Sequence, residues 1–268
     1  MSESRAVGFT SRDGHALSGR LEVPSGTPVA FAVFCACFTC GKDFLASVKI
    51  CRALAAAGIA TLRFDFSGLG QSEGDFEHSN FSTDVADTIA AAGFLRDHYE
   101  APKLLVGHSL GGAVAIAAAN QIPECVALAT IAAPYDAAHV TENFRNALAA
   151  IKRDGSAEVE LGGRTFMIAS KFVEDLTDQP QADRIADLDA ALLVMHSPTD
   201  EIVGIENARL IHDGARHSKS YVSLEGATHH LTEGDDADYA ARMIAVWVSR
   251  YIRQPAEAAS LTLPSPGP

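Results

Sequence analysis

The sequence has no long apolar run and little positive charge. Its longest apolar stretches, such as 29–38, are too short to cross a bilayer. The first residues, Met1-Ser2-Glu3-Ser4-Arg5, lack the apolar core that a secretory signal needs. A net charge of −13, with no cluster of Lys and Arg, repels a phosphate backbone. We therefore expect a cytoplasmic protein that binds neither membranes nor nucleic acid.

The sequence also has few cysteines, and their number is odd. Five cysteines in 268 residues argue against a disulfide framework and agree with a reducing compartment. Cys37 and Cys40 form a CxxC pair after a predicted strand, close to Cys35. The pair has two interpretations, a redox or metal-binding pair, or small buried residues beneath a loop. The sequence has no second CxxC and no His-x-x-x-His, which favours the second interpretation, and we expect no metal and no cofactor.

What the chain does have is a regular alternation of strand-like and helix-like runs. This pattern is typical of a mostly parallel sheet with helices on both faces. The strand-like runs are 16–23, 29–34, 59–64, 104–106, 126–131, 191–195 and 220–224. The helix-like runs are 44–57, 83–98, 110–121, 205–213 and 238–252. The sequence therefore predicts one α/β domain over residues 1–253.

The alternation breaks between residues 134 and 187. Two short alternating strands around Gly162 and Gly163 predict a hairpin, with helical segments before and after it. We interpret 134–187 as a small lid above the strand ends, where sites form in open α/β sheets. Residues 254–268 are rich in proline and poor in apolar groups, which predicts a disordered tail or linker.

The most informative stretch is 107–112, Gly-His-Ser-Leu-Gly-Gly, between an apolar strand and an alanine-rich helix. A serine in so tight a strand-to-helix turn needs small neighbours two positions to either side, and its hydroxyl is raised at the helix N-terminus. Ser109 is therefore the candidate nucleophile for attack on a carbonyl.

A serine nucleophile needs a base to take its proton and an acid to orient that base. Asp200 follows the apolar strand 191–195 in a turn and fits the acid, although an aspartate there is also a common turn former. His229 and His230 both follow the last predicted strand and compete for the base. His196 lies four residues before Asp200 and fits a structural histidine at a strand end.

Two backbone N–H groups must stabilise the oxyanion that forms on attack. Leu110, next to the nucleophile, supplies one at the positive end of its helix. We expect the second from the loop 35–41, with Phe38 as the candidate. Apolar side chains of the lid predict a modest apolar substrate pocket; they are Phe144, Leu148, Phe166 and Phe172.

Taken together, the stretch around Ser109, the late Asp200, the segment 63–72 and Gly226-Ala227-Thr228-His229 resemble the α/β-hydrolase superfamily over residues 5–253. The resemblance implies an α/β-hydrolase fold with a lid insertion after the sixth strand. It selects His229 as the base, because the family places its histidine three residues after the glycine. His230 is then a neighbour. Some relatives place the acid after the sixth strand, which keeps Asp136 as the alternative acid.

A narrower resemblance involves the segments 37–43 and 196–203. They look like the hydrolase half of bacterial proteins in which an OsmC-like domain follows. Those proteins often carry a histidine where this chain has Ala36. The resemblance implies that the proline-rich tail marks the place where such a second domain would begin.

These observations predict a cofactor-free serine hydrolase that cleaves small carboxylic esters through an acyl-enzyme intermediate. A thioesterase or acyltransferase would use the same three residues. Two alternatives belong to other classes: a non-catalytic ligand-binding or scaffolding module, and a thiol redox protein using Cys37 and Cys40. The expected partner is a small-molecule ester, and the sequence leaves the oligomeric state open.

Overall fold

The computed structural model describes residues 2–252 of the chain. The tail predicted at 254–268 lies outside the described residues. The strands are β1 (Glu3–Thr10), β2 (Ala16–Val23), β3 (Ala30–Cys35), β4 (Ile59–Phe64), β5 (Leu104–His108), β6 (Ala127–Ile131), β7 (Ser156–Leu161), β8 (Arg164–Ala169), β9 (Ala191–His196) and β10 (Lys219–Ser223). The helices are α1 (Leu45–Ala56), α2 (Phe81–His98), α3 (Leu110–Ala119), α4 (Leu148–Asp154), α5 (Ser170–Thr177), α6 (Gln181–Ala186), α7 (Glu206–Gly214) and α8 (Asp236–Ile252).

Eight of the strands form one sheet in the order β1-β2-β4-β3-β5-β6-β9-β10. From β4 to β10 in this order, every neighbouring pair is parallel, while β2 runs antiparallel to both β1 and β4. The central strands β3, β4, β5, β6 and β9 are buried along their whole length, as expected when helices cover both faces. The predicted mostly parallel sheet flanked by helices is confirmed.

The hydrophobic core lies in two layers, one on each face of the sheet. Alternate residues of β3 serve opposite layers, because successive side chains of a strand point to opposite faces. Val33 packs with the side chains of α2 and α3, whereas Ala32 and Phe34 pack with those of α1 and α8. The parallel strands β5, β9 and β10 end at the same edge of the sheet, which is where ligands bind in open α/β folds.

An insertion separates β6 from β9 and breaks the alternation of the fold. It contains a 3-10 helical stretch (Ala137–Ala147), α4, the hairpin of β7 and β8, and then α5 and α6. The hairpin turns at Gly162 and Gly163, whose φ angles of 56° and 76° lie in the left-handed region that glycine tolerates. The hairpin predicted around these two glycines is therefore present, and the short helix α6 is an addition that the sequence pattern did not indicate.

The first strand was missed by the sequence pattern for a physical reason. β1 is an edge strand whose side chains are mostly exposed, with Phe9 as its buried residue, so it has no run of apolar residues. None of the helices within residues 2–252 combines the length and the apolar character needed to cross a membrane.

Candidate active site

Ser109 occupies the tight turn between β5 and α3. Its φ angle of 55° is unusual for a residue with a side chain, and the Ser109 N–H is held by the Ile131 carbonyl of the neighbouring strand at 2.8 Å. The turn also requires small neighbours. A Cβ atom at Gly107 would collide with the backbone of Gly111, and one at Gly111 would collide with the carbonyl of Cys35. The local sequence thus forces the serine to the carboxyl edge of the sheet.

The structure brings three of the predicted residues into one hydrogen-bonded chain. The Oγ atom of Ser109 lies 2.9 Å from Nε2 of His229, and Nδ1 of His229 lies 2.8 Å from Oδ2 of Asp200. Ser109 follows β5, Asp200 follows β9 and His229 follows β10. An imidazole held in this way by a carboxylate can take the hydroxyl proton and expose the oxygen as a nucleophile.

Asp200 is held as a carboxylate by its surroundings. Burial acts to raise its pKa, but the hydrogen bond with His229 and those donated by the Val203 and Ile202 N–H groups outweigh burial and lower the pKa below its ordinary value. Both backbone bonds reach Oδ1 at 2.9 Å, which leaves Oδ2 for the imidazole. A charged acceptor at Nδ1 orients the His229 ring and stabilises its protonated form.

The two competing candidates, Asp136 and His230, do not take part in this hydrogen-bonded chain. Asp136, the alternative acid, is exposed and caps the start of the 3-10 stretch by accepting from the Ala138 N–H. His230 is exposed and its ring meets Phe44 edge-on, while its neighbour His229 is buried. His196 is fully buried and bonded through Nε2 to the Val203 carbonyl, in keeping with the expected structural histidine at the end of β9.

The two residues expected to supply the oxyanion donors are Phe38, in the wall of the cavity that contains Ser109, and Leu110, the next residue after Ser109. Leu110 is also the first residue of α3. Within residues 2–252 neither the Phe38 nor the Leu110 N–H donates to a backbone carbonyl. Two free donors near a nucleophile, one of them at a helix N-terminus, suit a developing negative charge.

The four apolar side chains of the insertion do not line the cavity in the way that the sequence suggested. Phe144 and Phe172 are buried and pack around the ring of Phe38, with Phe172 stacked on it at 5.5 Å between ring centres. Phe166 packs on Phe76, and Leu148 packs against the same core. None of the four predicted pocket residues contributes to the cavity wall around Ser109. Phe144 and Phe172 instead pack against the loop that carries Phe38.

The cavity itself is large and partly polar. It has a volume of about 790 Å³ and includes Ser109 and His229 in its wall. Apolar contacts come from Phe38, Phe44 and Ile202. The side chains that add hydrogen-bonding groups or charges include Lys42, Asp43, Gln71, Asn143, Glu160 and Arg164. The cavity therefore offers both apolar surface and polar side chains to a ligand.

The CxxC pair is a disulfide, which corrects the expectation of small buried residues without a bond. Cys37 and Cys40 are joined with their Cα atoms 5.1 Å apart, and both line the cavity. The odd number of cysteines misled the prediction, because the three cysteines outside the CxxC pair are free. Among residues 2–252 no group of three or more His, Cys, Asp and Glu side chains is arranged to hold a metal ion.

A buried ion pair lies directly after the turn that contains Cys37 and Cys40. Lys42 Nζ lies 2.6 Å from Asp65 Oδ2, and the Lys42 N–H donates to Oδ1 of the same carboxylate. Both side chains are almost fully buried. Gln71 completes the network by donating its N–H to Asp65 and accepting from Lys42. The sequence analysis did not identify this pair. An aspartate directly after an apolar strand, as Asp65 is, could have indicated a polar residue at the carboxyl edge of the sheet.

His108 is a second residue that the sequence analysis missed. Its Nε2 lies 2.7 Å from the backbone carbonyl of His229, and its Nδ1 has no hydrogen-bond partner among residues 2–252. Burial, together with the nearby His229, lowers the pKa of His108 to about 3, so the ring is neutral. A carbonyl only accepts, so Nε2 carries the proton. His108 thus holds the main chain of the residue that bonds Ser109.

Comparison with known proteins gives consistent matches. The alpha/beta hydrolase family matches residues 32–243. The esterase domain of a Rhodothermus marinus protein has a solved structure that is 41% identical, with a TM-score of 0.76 over 94% of this chain and 100% of that one. The mitochondrial palmitoyl-protein thioesterase ABHD10 of Homo sapiens is 33% identical over 159 residues, which is 59% of this chain and 47% of that protein.

A further curated relative is the monoglyceride lipase of Rattus norvegicus, 37% identical over 120 residues, or 43% of this chain and 38% of that protein. The matched part of this chain thus spans about half the length, or less, of these curated relatives.

Proposed function

Because this chain belongs to the alpha/beta hydrolase family, we propose that it is a serine hydrolase that cleaves small carboxylic esters through an acyl-enzyme intermediate. The hydrogen-bonded chain from Ser109 Oγ through His229 to Asp200 carries this proposal. No comparable arrangement would be needed by a protein that only binds a ligand. The matching esterase domain supports the choice of an ester as substrate.

In the proposed mechanism, Ser109 attacks the ester carbonyl while His229 takes its proton. The Phe38 and Leu110 N–H groups stabilise the oxyanion, and the alcohol leaves with the proton from His229. Water, activated by the same imidazole, then attacks the acyl-enzyme and releases the acid. Asp200 keeps the ring in the correct orientation through both steps.

A thioester is the second candidate substrate, because the curated relatives include a protein named as a palmitoyl-protein thioesterase. The same residues would attack a thioester carbonyl, and transfer to another acceptor would make an acyltransferase. The cavity of about 790 Å³ is wide enough for an acyl chain together with a polar leaving group. We place the ester first because the matched esterase domain covers nearly the whole chain.

Four earlier expectations remain proposals that rank below the serine hydrolase. The thiol redox protein would use the Cys37–Cys40 disulfide, and the binding module would keep the fold without chemistry. An OsmC-like domain following the hydrolase is implied only by the narrower resemblance. The curated thioesterase relatives are named as mitochondrial, and a cytoplasmic location for this chain stays a prediction.

The test combines a fluorophosphonate probe with hydrolysis of p-nitrophenyl butyrate and of a butyryl thioester. We expect labelling at Ser109, and a loss of turnover of at least about 10³-fold in Ser109→Ala. Ser249→Ala is the matched control, since that hydroxyl on α8 bonds the Val246 carbonyl of its own helix. Turnover that persists in Ser109→Ala would contradict the proposal, and the ratio of ester to thioester rates separates the two substrates.

A further inference from the structure

We propose that the Cys37–Cys40 disulfide is a redox-responsive positioning device for the Phe38 oxyanion donor, so that the oxidised hydrolase is fast and the reduced one is slow. The inference rests on the proposed function, because it needs an oxyanion to stabilise. The observation that carries it is the position of Phe38 between the two bonded cysteines, in the wall of the cavity that contains Ser109.

The disulfide closes a four-residue turn around the donor. The Cys40 N–H donates to the Cys37 carbonyl at 2.9 Å, which completes the turn that the two sulfur atoms bridge. Thr39, inside the turn, has a φ angle of 59°. A residue with a Cβ atom is unfavourable in this left-handed region and stays there when its surroundings hold it. The disulfide is one such constraint. Without it, we expect the backbone of Thr39 to move toward a more favourable conformation.

Two further contacts hold the turn, one at the Phe38 ring and one at the Thr39 carbonyl. The Phe38 ring is packed among Phe144 and Phe172, and the Thr39 carbonyl accepts from Arg164 of the β7–β8 hairpin. These contacts fix a ring and a carbonyl, but neither fixes the direction of the Phe38 N–H. That direction depends on the backbone dihedrals of the turn. Loss of the bridge should therefore disturb the donor while leaving the loop in place.

The disulfide reaches the cavity wall, whereas two of the three free thiols, those of Cys35 and Cys51, are buried. Both bonded cysteines line the cavity, and Cys40 is only partly buried. Cys35 and Cys51 are fully buried, and burial raises the pKa of both thiols, of Cys35 to about 12. A reductant that enters the cavity meets the disulfide, while the buried thiols stay unreactive.

The reductive step balances with a phosphine as the two-electron donor. The phosphorus attacks one sulfur, the S–S bond breaks and the other sulfur leaves as a thiolate. Water then hydrolyses the thiophosphonium, which gives two thiols and the phosphine oxide. In a reducing compartment, thiols of the glutathione or thioredoxin class would perform the same net reaction. The oxidation state of the pair would then follow that of the compartment.

The experiment measures kcat and KM of the full chain for p-nitrophenyl butyrate before and after reduction with tris(2-carboxyethyl)phosphine. The reductant is removed before the assay, and thiol titration verifies the reduction. We expect kcat to fall about tenfold, part of the loss seen when one oxyanion donor is removed, with little change in KM. Affinity for a boronic acid, which mimics the tetrahedral intermediate, should fall by the same factor. Reoxidation should restore both.

Two variants make the result specific. The double variant Cys37→Ser with Cys40→Ser should be as slow as the reduced protein and should not respond to reductant. Cys125→Ser, which removes a free thiol on another loop, should respond as the unmodified chain does. A kcat that stays unchanged after verified reduction would overturn the inference while leaving the Ser109 hydrolase intact. Activity that survives in Ser109→Ala would instead overturn the proposed function.

Discussion

The imidazole of His108 donates through Nε2 to the backbone carbonyl of His229, with 2.7 Å between the two atoms. His108 is the last residue of β5 and directly precedes Ser109, whereas His229 lies in the loop after β10. The hydrogen bond therefore ties together the two segments that carry the candidate nucleophile and its base. The Nδ1 atom of this buried ring has no hydrogen-bond partner in the described part of the chain, which costs free energy of folding.

We predict that His108→Leu lowers kcat by about 10- to 100-fold, because the His229 main chain loses its anchor and the ring moves from Ser109. His108→Gln keeps an N–H donor of similar reach and should recover much of the rate. The measurement is kcat over a range of pH, normalised to the fraction labelled by a fluorophosphonate. Equal rates per labelled site in the Leu variant and the unmodified chain would show that His108 does not position His229.

The same residue predicts a pH dependence of stability. Burial lowers the pKa of His108 from 6.5 to about 3, so between these values the unfolded chain binds a proton that the folded chain does not. The free energy of unfolding therefore falls as the pH decreases through this window, by about 1.4 kcal/mol per pH unit from this group. Urea unfolding at pH 7, 6 and 5 measures it. His108→Gln should show a shallower decline, and an identical slope in both proteins would contradict the prediction.

Asp200→Asn tests the orienting carboxylate. The amide keeps an oxygen for the Ile202 and Val203 N–H groups, so the fold should persist, but its NH₂ faces Nδ1 of His229 and favours the wrong tautomer. We expect kcat to fall by about 10⁴-fold, as for the equivalent change in a serine protease. Asp136→Asn is the matched control and should change kcat little, because Asp136 only caps a 3-10 stretch. A larger effect at Asp136 would reverse the assignment of the acid.

The turn at Ser109 predicts a contrast between two glycines. Gly111→Ala places a Cβ atom against the backbone carbonyls of Cys35 and Ala36, so it should destabilise the fold by about 1–3 kcal/mol and disturb the loop before Phe38. Gly93→Ala, on α2 with open space around it, should stabilise by about 0.5–1 kcal/mol. Chemical denaturation of both variants measures the difference, and equal stabilities would mean that the turn tolerates a side chain.

The buried ion pair predicts a large stability loss from a single substitution. Asp65→Ala leaves the buried Lys42 ammonium with only the exposed Asp43 carboxylate at 3.7 Å, which should reduce the free energy of unfolding by about 3–5 kcal/mol. Lys42→Met combined with Asp65→Asn should recover part of this loss, because no unpaired charge then remains buried. Glu124→Ala, which breaks the exposed pair with Arg96, should cost less than about 1 kcal/mol. If Asp65→Ala and Glu124→Ala reduced the free energy of unfolding by similar amounts, the prediction would be wrong.

Much of the site could be predicted from the sequence because its signals are local. Ser109 lies between a strand-forming run and a helix-forming run, and Asp200 directly follows an apolar strand, so short windows of sequence place both at the edge of the sheet. The choice of His229 over His230 needed the family resemblance. Burial separates the two in the structure, since His229 is buried and His230 is exposed.

The remainder could not be predicted because it depends on contacts between distant segments. The apolar residues of the insertion suggested a pocket lining, yet Phe144 and Phe172 pack around Phe38, more than a hundred positions earlier in the chain. Composition identifies such residues as buried but cannot say which surface they meet. The Cys37–Cys40 bond was missed for a similar reason, since an overall count of cysteines says little about a single local pair.

Phe38 contributes its ring to packing and its main chain to the proposed oxyanion site, which affects how substrate specificity could evolve in this fold. Its ring is embedded in the insertion, while its main chain faces the reacting carbonyl in the proposed mechanism. A change in the insertion that selects a new substrate would therefore also alter turnover, even for the old substrate. Evolving or redesigning the specificity of this scaffold would require compensating changes around that ring, so selectivity and speed would not vary independently.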